Sequence, residues 1–291
     1  MGQARQTRKS RPSRTGFSRA LSWAFPFILG ILGSCGLPGL EDAQVTLAPL
    51  GNLLKPGGKA RLATGPQHNG ANSFSSALKL ADRETDPAVT LFFGDGFSGF
   101  DLGYEQFKRQ NSKGFLENDY GRLRRGEATD SDLEYYGYRL AYVGQIYGYD
   151  FPTQIPLGSD YNLNLHPKVR LGAGLGLHKV RWDLSVFDLD RGIGEDFKSE
   201  GMVPFLTLRA QMDLDTLKLR LDQSFSAGDW GDVTGPYWDT LFTLRWEAAP
   251  SVDLLAGFRH FQVSSEGHTG GNKYEMDATL TGYVLGLFLL F

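Results

Sequence analysis

The stretch "TLTGYVLGLFLLF", Thr279–Phe291, decides how the rest of the chain is read. Tyr283, Leu285, Leu287, Leu289 and Phe291 share one parity, with Val284, Gly286 and Phe288 on the other. A period of two is that of a β-strand, whose side chains alternate between faces. A loose terminus gains nothing by exposing apolar surface, so a strand that stays apolar to its last residue suits a place from which water is excluded. In hydrocarbon every backbone N–H and C=O must be paired, and a sheet meets that condition only when it closes on itself. The final strand is therefore expected to pair with the first. Its leucine and tyrosine face then meets lipid, while Val284, Gly286 and Phe288 point into a lumen.

The same alternation runs upstream. In "KVRLGAGLGLHKV", Val169, Leu171, Ala173, Leu175 and Leu177 alternate with Arg170, three glycines and His178. In "PFLTLRAQMDL", Leu206, Leu208, Ala210, Met212 and Leu214 alternate with Thr207, Arg209, Gln211 and Asp213. In "LEYYGYRLAYVGQIYG", Tyr136, Tyr138, Leu140, Tyr142 and Ile146 share a parity. Eight strands are expected, at about 89–107, 132–148, 166–184, 201–214, 217–227, 237–248, 252–263 and 274–291. Most reach the 9–11 residues, roughly, that a tilted strand needs to cross a bilayer. The links "DT" and "APS" are tight, whereas those after strands one, three, five and seven are long and polar. Long links at one end and short turns at the other describe an up-and-down barrel. The link "YDFPTQIPLGSDYNLNLH" departs from that rule, either as an elaborated turn or because one strand pair is misread. A soluble barrel or sandwich would give the same alternation with its apolar face inward; strand length, the aromatic-rich apolar face and the terminal Phe favour the membrane.

The terminal pattern resembles the C-terminal signal of Gram-negative outer-membrane β-barrel proteins, and residues 88–291 as a whole are similar in style to the small eight-stranded type. The resemblance implies an all-β antiparallel transmembrane barrel in the cell outer membrane. It also implies that the barrel-assembly machinery reads Tyr283, Leu285, Leu287, Leu289 and Phe291 during biogenesis, and that outer-membrane lipid and lipopolysaccharide surround the folded protein.

Composition agrees with a turn-rich β protein. The 291 residues include 37 glycines, nearly double the usual share of about 7%. A net charge of −3 gives no reason to expect nucleic acid as a partner. Six basic residues and no acid within residues 1–19 precede the uncharged "ALSWAFPFILGILG", Ala20–Gly33. That order reads as a secretory signal over 1–35, with an uncleaved anchor reaching Leu40 as the alternative. "LGSC", Leu32–Cys35, resembles a lipobox with Cys35 as the lipidated residue; ordinary cleavage near Cys35–Gly36 is the other reading. Residues 36–87, rich in Gly, Pro, Asn, Ser and Lys, are expected to form an irregular periplasmic linker.

Side chains fill a narrow barrel. Those expected inside are Asp101, Glu105, Arg139, Arg170, Arg209, Arg220, Asp222, Arg245 and Glu247, together with Gln145 and Gln211. Isolated buried charges are costly, so an interior network of Arg–carboxylate bridges and water is expected; a charged path for small ions is the functional counterpart. In "GRLRRGE", the guanidinium forks of Arg122, Arg124 and Arg125 suit lipopolysaccharide phosphates, against an ordinary solvated loop. "FDLDRGIGED", Phe187–Asp196, reads as a solvated acidic loop without EF-hand register. Enzyme chemistry has one candidate pair, His260 and Ser264, four residues or about 13 Å apart along a strand. In the barrel deacylases that such a pair resembles, His and Ser sit two apart, and here that place holds Gln262. No metal or cofactor is expected. A structural or surface-interaction role without catalysis is expected, with a narrow channel for small polar solutes and a lipid A deacylase-like enzyme as alternatives.

Overall fold

The computed structural model describes residues 43–64, 70–82, 84–151, 153–156, 162–165, 167–269 and 271–291, all within the unit Pro38–Phe291. The expectations for the signal segment and for Cys35 lie outside the described residues.

Ten long antiparallel strands follow one another around a ring. They are β1 (Gln44–Ala63), β3 (Glu84–Gly94), β4 (Gly99–Phe115), β5 (Ala128–Asp150), β8 (Lys168–Asp188), β9 (Gly194–Leu214), β10 (Leu217–Ser226), β11 (Val233–Ala249), β12 (Val252–Thr269) and β13 (Asn272–Leu290). The ring closes because β13 pairs with β1 from Thr46↔Leu290 to Ala63↔Lys273. Short β2 (Asn72–Ser73) is attached to β1, and β6 (Thr153–Pro156) and β7 (Asn162–Leu165) form a separate hairpin. The end holding Leu290 and the tight turns at 95–98, 215–216 and 250–251 is called lower here, and the opposite end upper. The link 151–167, which broke the expected rule of lengths, belongs to the lower end and carries the β6–β7 hairpin.

Two expectations are corrected. The ring has ten strands rather than eight. The expected strand 89–107 is a hairpin of β3 and β4, turned at Asp95–Ser98. There Gly96 and Gly99 take positive φ, while Asp95 Oδ1 accepts from Phe97 N at 2.8 Å and Ser98 N at 2.6 Å. Nor is 36–87 an irregular linker throughout, for Gln44–Ala63 is a full wall strand. Pro49, Pro56 and three glycines hid its alternation. A strand held between two ready-made edges needs little propensity of its own.

The wall has an unusual seam. β3 pairs with β4 only from Ala88↔Glu105 downward. Above that level the segment 72–82 takes the place of β3. Its β2 pairs with Lys59 and Ala60 of β1, and Ala77 O accepts from Phe115 N of β4 at 3.0 Å. Phe74, Ala77, Leu78 and Leu80 of this strap are fully buried. Arg109 pins the seam: it donates to Asp82 O at 2.7 Å, Leu54 O at 2.8 Å and Asp86 Oδ2 at 3.0 Å.

Halfway up the barrel, apolar residues change sides. On β8 the outward positions run Val169, Leu171, Ala173, Leu175 and Leu177, then Lys179, Arg181, Asp183 and Ser185. The inward positions run Arg170, three glycines and His178, then Val180, Trp182, Leu184 and Val186, all four buried. On β9, outward Met202, Leu206 and Leu208 give way upward to Glu200, Lys198 and Asp196, while inward Arg209 and Thr207 give way to Phe205, Val203 and Phe197. The lower half is thus greasy outside and ionic inside, and the upper half is the reverse. The outward apolar run 169–177 corresponds to a belt roughly 20 Å tall for strands tilted at about 40°, close to the belt of about 25 Å of outer-membrane barrels. The wall continues roughly 28 Å above it, from Leu177 to Asp188. There Trp182, Tyr135, Phe197, Tyr274 and Phe261 form an aromatic core, with Phe197 stacked on Tyr274 at 4.4 Å.

Leu206 lies in the outward belt and Lys198 above it. Leu206→Arg is expected to destabilise the barrel by about 2–4 kcal/mol, as charges on a lipid-facing wall do. Lys198→Leu is expected to change stability by less than about 0.5 kcal/mol, the usual range for a surface substitution. Denaturant unfolding in lipid vesicles measures both.

Candidate functional site

The layer where the apolar residues change sides is the most densely organised part of the molecule. Glu105 (β4), Arg139 and Tyr135 (β5), His178 (β8), Tyr237 and Asp239 (β11) and Arg259 (β12) meet there. Arg259 donates Nε to Asp239 Oδ1 at 2.9 Å and Nη2 to Asp239 Oδ2 and Glu105 Oε1, both at 3.0 Å; its Nη1 also bonds Glu105. Arg139 Nη1 donates to Asp239 Oδ2 at 3.0 Å and Nη2 to Ser224 Oγ at 2.7 Å. The two arginines therefore share one carboxylate.

Hydrogen counting fixes the histidine. Tyr135 has one O–H, which goes to Glu105 Oε1 at 2.6 Å. The contact from Tyr135 Oη to His178 Nε2, at 3.2 Å, must then be donated by the imidazole. His178 Nδ1 accepts from Tyr237 O–H at 2.8 Å. A neutral imidazole with its proton on Nε2 satisfies all three groups. Gly137 makes this possible, because a Cβ there would lie 2.5 Å from Tyr135 Oη and 2.8 Å from Glu105 Oε1. The cluster is closed: each charge has its counter-charge in direct contact. It supplies no nucleophile next to a free base, and its role is to hold six strands in register at the polar boundary.

A second set of pairs lies below. Arg209 Nε meets Asp222 at 2.7 Å, its Nη1 donates to Phe97 O at 2.6 Å, and its Nη2 bonds Asp101. Arg220 Nε donates to Asp222 Oδ2 at 2.6 Å. Arg170 pairs with Asp213 and Arg245 with Asp253, each at 2.6 Å. Among the described residues, six lumen arginines thus face six lumen carboxylates.

Of the residues expected inside, Asp101, Glu105, Arg139, Arg170, Arg209, Arg220, Asp222 and Arg245 belong to these pairs. Glu247 does not; it is exposed at the lower rim. Arg259, Asp213, Asp239 and Asp253 complete the pairs and were not among the residues expected inside. Arg259 sits in "GFRHF", beside His260, and its parity with Gly257 and Phe261 marks it as inward. His260 and Ser264 both face outward and make no bond to each other. His260 Nδ1 meets Thr281 Oγ1, and Ser264 Oγ donates to Asp277, each at 2.8 Å. Tyr283, Leu285, Leu287 and Phe291 are exposed on the outer face, and Leu289 is half-buried there.

Arg122, Arg124 and Arg125 lie in the upper connection 116–127. The Arg122 guanidinium is held by Glu195 and, at 3.2 Å, by Gly194 O. Arg124 stands 3.9 Å from Asp119 and is largely exposed. Arg125 uses its backbone N–H to cap Asp119 at 2.8 Å. The acidic stretch after Phe187 is structured. Buried Asp188 accepts from Asp190 N and Arg191 N through Oδ1 and from Arg191 Nε at 2.6 Å through Oδ2. The Arg191 guanidinium and these backbone N–H groups hold its carboxyl down at about 2. Among the described residues no group of His, Cys, Asp and Glu is arranged to hold a metal ion.

No family model and no curated protein matches the chain. Solved structures do. The outer membrane protease OmpT from Escherichia coli is 12% identical over 88% of this chain and 99% of that one, with a TM-score of 0.49. Ail, the attachment invasion locus protein of Yersinia pestis, is 12% identical over 88% and 100%, with a TM-score of 0.28. Neisserial surface protein A is 16% identical over 86% and 99%, with a TM-score of 0.30. The fold rests on the molecule's own ring and belt. A closed antiparallel up-and-down barrel with an apolar outer belt and an ionic lumen is an outer-membrane β-barrel, a protein of the outer membrane.

Arg259→Met is expected to cost about 3–5 kcal/mol, because Glu105 and Asp239 stay buried without their cation. Adding Glu105→Gln, which leaves Asp239 to Arg139, should recover part of that loss in denaturant unfolding. At the upper rim, Asp188 has a folded pKa below its unfolded value of about 4, so its contribution is complete above pH 4 and lost as pH falls towards 2. Pepsin cleavage at 189–193 should rise over that interval in the wild type. Asp188→Asn should be cleaved more readily at pH 4 and lack this step.

Proposed function

We propose that the protein is a non-conducting outer-membrane barrel that presents a rigid collar at the cell surface, with a structural or surface-interaction role. One observation carries the reading: the upper interior is a packed aromatic core. Trp182, Tyr135, Phe197, Phe74, Tyr120 and Tyr274 are all at most 1% exposed. Such packing leaves solutes no path along the axis, which weighs against the narrow channel. The outward, separately bonded His260 and Ser264 weigh against a lipid A deacylase.

The collar faces outward in this reading, with the short turns in the periplasm, as is usual for such barrels. Lipopolysaccharide is its neighbour. The cations best placed for headgroup phosphates are at the upper edge of the belt rather than among Arg122, Arg124 and Arg125. Lys108, Lys179 and Arg181 stand there on the outer wall, beside Glu134, Glu200 and Asp183 at 2.8–3.1 Å, with Tyr136 and Tyr138 between them. The barrel-assembly machinery would read the outward row from Tyr283 to Phe291 on the way to the membrane.

Planar bilayers test the main claim: the purified protein is expected to give no steady single-channel conductance, and stable ionic steps in the wild type would end the reading. For the lipid, Lys108→Ala/Lys179→Ala/Arg181→Ala is expected to lower lipopolysaccharide retention at least about threefold in native mass spectrometry. Arg122→Ala/Arg124→Ala/Arg125→Ala should change it little.

A further inference from the structure

The outer wall carries a second kind of surface at the top of the belt, on the arc formed by β11, β12, β13 and β1. The cross-strand row Phe242, Phe258, Tyr283 and Leu53 is the last apolar one there. Directly above it run Thr240, His260, Thr281 and Lys55, and above those Trp238, Gln262, Thr279 and Gly57. The first carboxylate comes only in the third row, with Asp277 facing Lys59. Two rows across four strands thus hold one ammonium group and no carboxylate. Trp238 is 45% exposed and donates Nε1 to Thr240 Oγ1 at 3.0 Å. An indole so placed marks the level at which the headgroups of a membrane begin.

The polar groups of this patch are not used by the protein itself. Lys55 is exposed and makes no salt bridge to a described residue, and the side chains of Gln262 and Thr279 bond no described residue. His260 Nδ1 lies 2.8 Å from Thr281 Oγ1, which leaves Nε2 for an outside partner. Gly57 keeps the Thr279 hydroxyl uncovered, since a Cβ there would lie 2.6 Å from Oγ1. The opposite arc differs in charge. Lys108, Lys179 and Arg181 each stand beside a carboxylate at 2.8–3.1 Å, and Lys55 does not. An unmatched cation among neutral hydrogen-bonding groups, at headgroup level, suits a phosphate with a single negative charge and a head that carries hydroxyls. A zwitterionic head would bring its ammonium group to Lys55 with no carboxylate in either row to receive it.

We propose that this patch binds the head of a singly anionic glycerophospholipid. The phosphate lies between Lys55 and His260, which flank Thr281 from the two neighbouring strands, about 10 Å apart, a gap that the lysine stem and the phosphate close. The hydroxyls of the head meet Thr279 and Gln262, and the acyl chains run down over Leu53, Tyr283 and Phe258. The inference rests on the belt that fixes the membrane level, not on the surface role proposed above. It stands beside the lipopolysaccharide contact, whose three cations suit a head with several charges.

The test is native mass spectrometry of the full chain with equimolar phosphatidylglycerol and phosphatidylethanolamine of equal chain length. The wild type is expected to retain at least fivefold more phosphatidylglycerol. Lys55→Gln should remove that preference, while Lys59→Gln, whose side chain faces Asp277, should keep it. Gln262→Leu/Thr279→Val should lower phosphatidylglycerol retention at least threefold and leave phosphatidylethanolamine unchanged. Lys108→Ala/Lys179→Ala/Arg181→Ala, which alters the other arc, should leave the preference intact, so the two lipid contacts fail separately. The substituted side chains face outward, and heat-modifiable migration checks that each variant is folded. Equal retention of the two lipids by the wild type would overturn the proposal. A preference that survives in Lys55→Gln, or that is lost with the other arc, would overturn the location. Unchanged retention in Gln262→Leu/Thr279→Val would overturn the placement of the head.

Discussion

The pairing of β13 with β1 is the constraint on which everything else depends. A sheet edge left open in hydrocarbon strands a row of N–H and C=O groups at several kcal/mol each, roughly. Sixteen residue pairs between Thr46↔Leu290 and Ala63↔Lys273 remove that edge. Once the ring is closed, each side chain has only two destinations, outside or inside. The solvent on each side then selects residue type. Lipid selects Leu175, Leu206 and Tyr283 below, and water selects Lys179, Lys198 and Glu275 above. The interior takes the complement at each level, with paired charges where the outside is greasy and a dry aromatic core where it is wet.

Much of this was legible in the residues. Seven of the ten wall strands were legible from alternation, least cleanly on β12, and once the apolar face was given to lipid, parity put Arg139, Arg209 and Asp222 in the lumen. Three features were hidden. β1 is built from "QVTLAPLGNLLKPGGKARLA", whose prolines and glycines mimic a linker, yet its two neighbours supply the register. The hairpin at "GDGFSG" was absorbed into one strand because apolar residues continue on both sides of the turn. The change of sides at His178 left the two-residue period untouched. Alternation reports that a strand has two unlike faces, not which solvent each face meets. The charge partners were the least legible of all. Arg259 reaches Glu105 across 154 positions of sequence, and only closure of the ring brings them together.

The charge cluster and the aromatic core act together. Ion pairs in a low-dielectric setting contribute little net stability compared with apolar packing, but their geometry is exacting. Arg259 requires two carboxylates, Arg139 requires one of the same pair, and Tyr135 and Tyr237 bracket His178 in a single tautomer. A strand that slipped by one residue would turn every one of these groups to the wrong face. The boundary layer thus sets register for the whole wall, and the core above it provides the bulk of the burial.

The strap at 72–82 also constrains how the molecule can be assembled. Its backbone partners lie on β1 and β4, and its apolar side chains fill space that exists only once the surrounding wall is curved. Its place therefore depends on both neighbours at once. Arg109, bonded to Leu54, Asp82 and Asp86, joins the strap to β1 and β3. The upper seam of the wall is thus tied by side chains and a few backbone bonds, where the lower wall is tied by a continuous ladder.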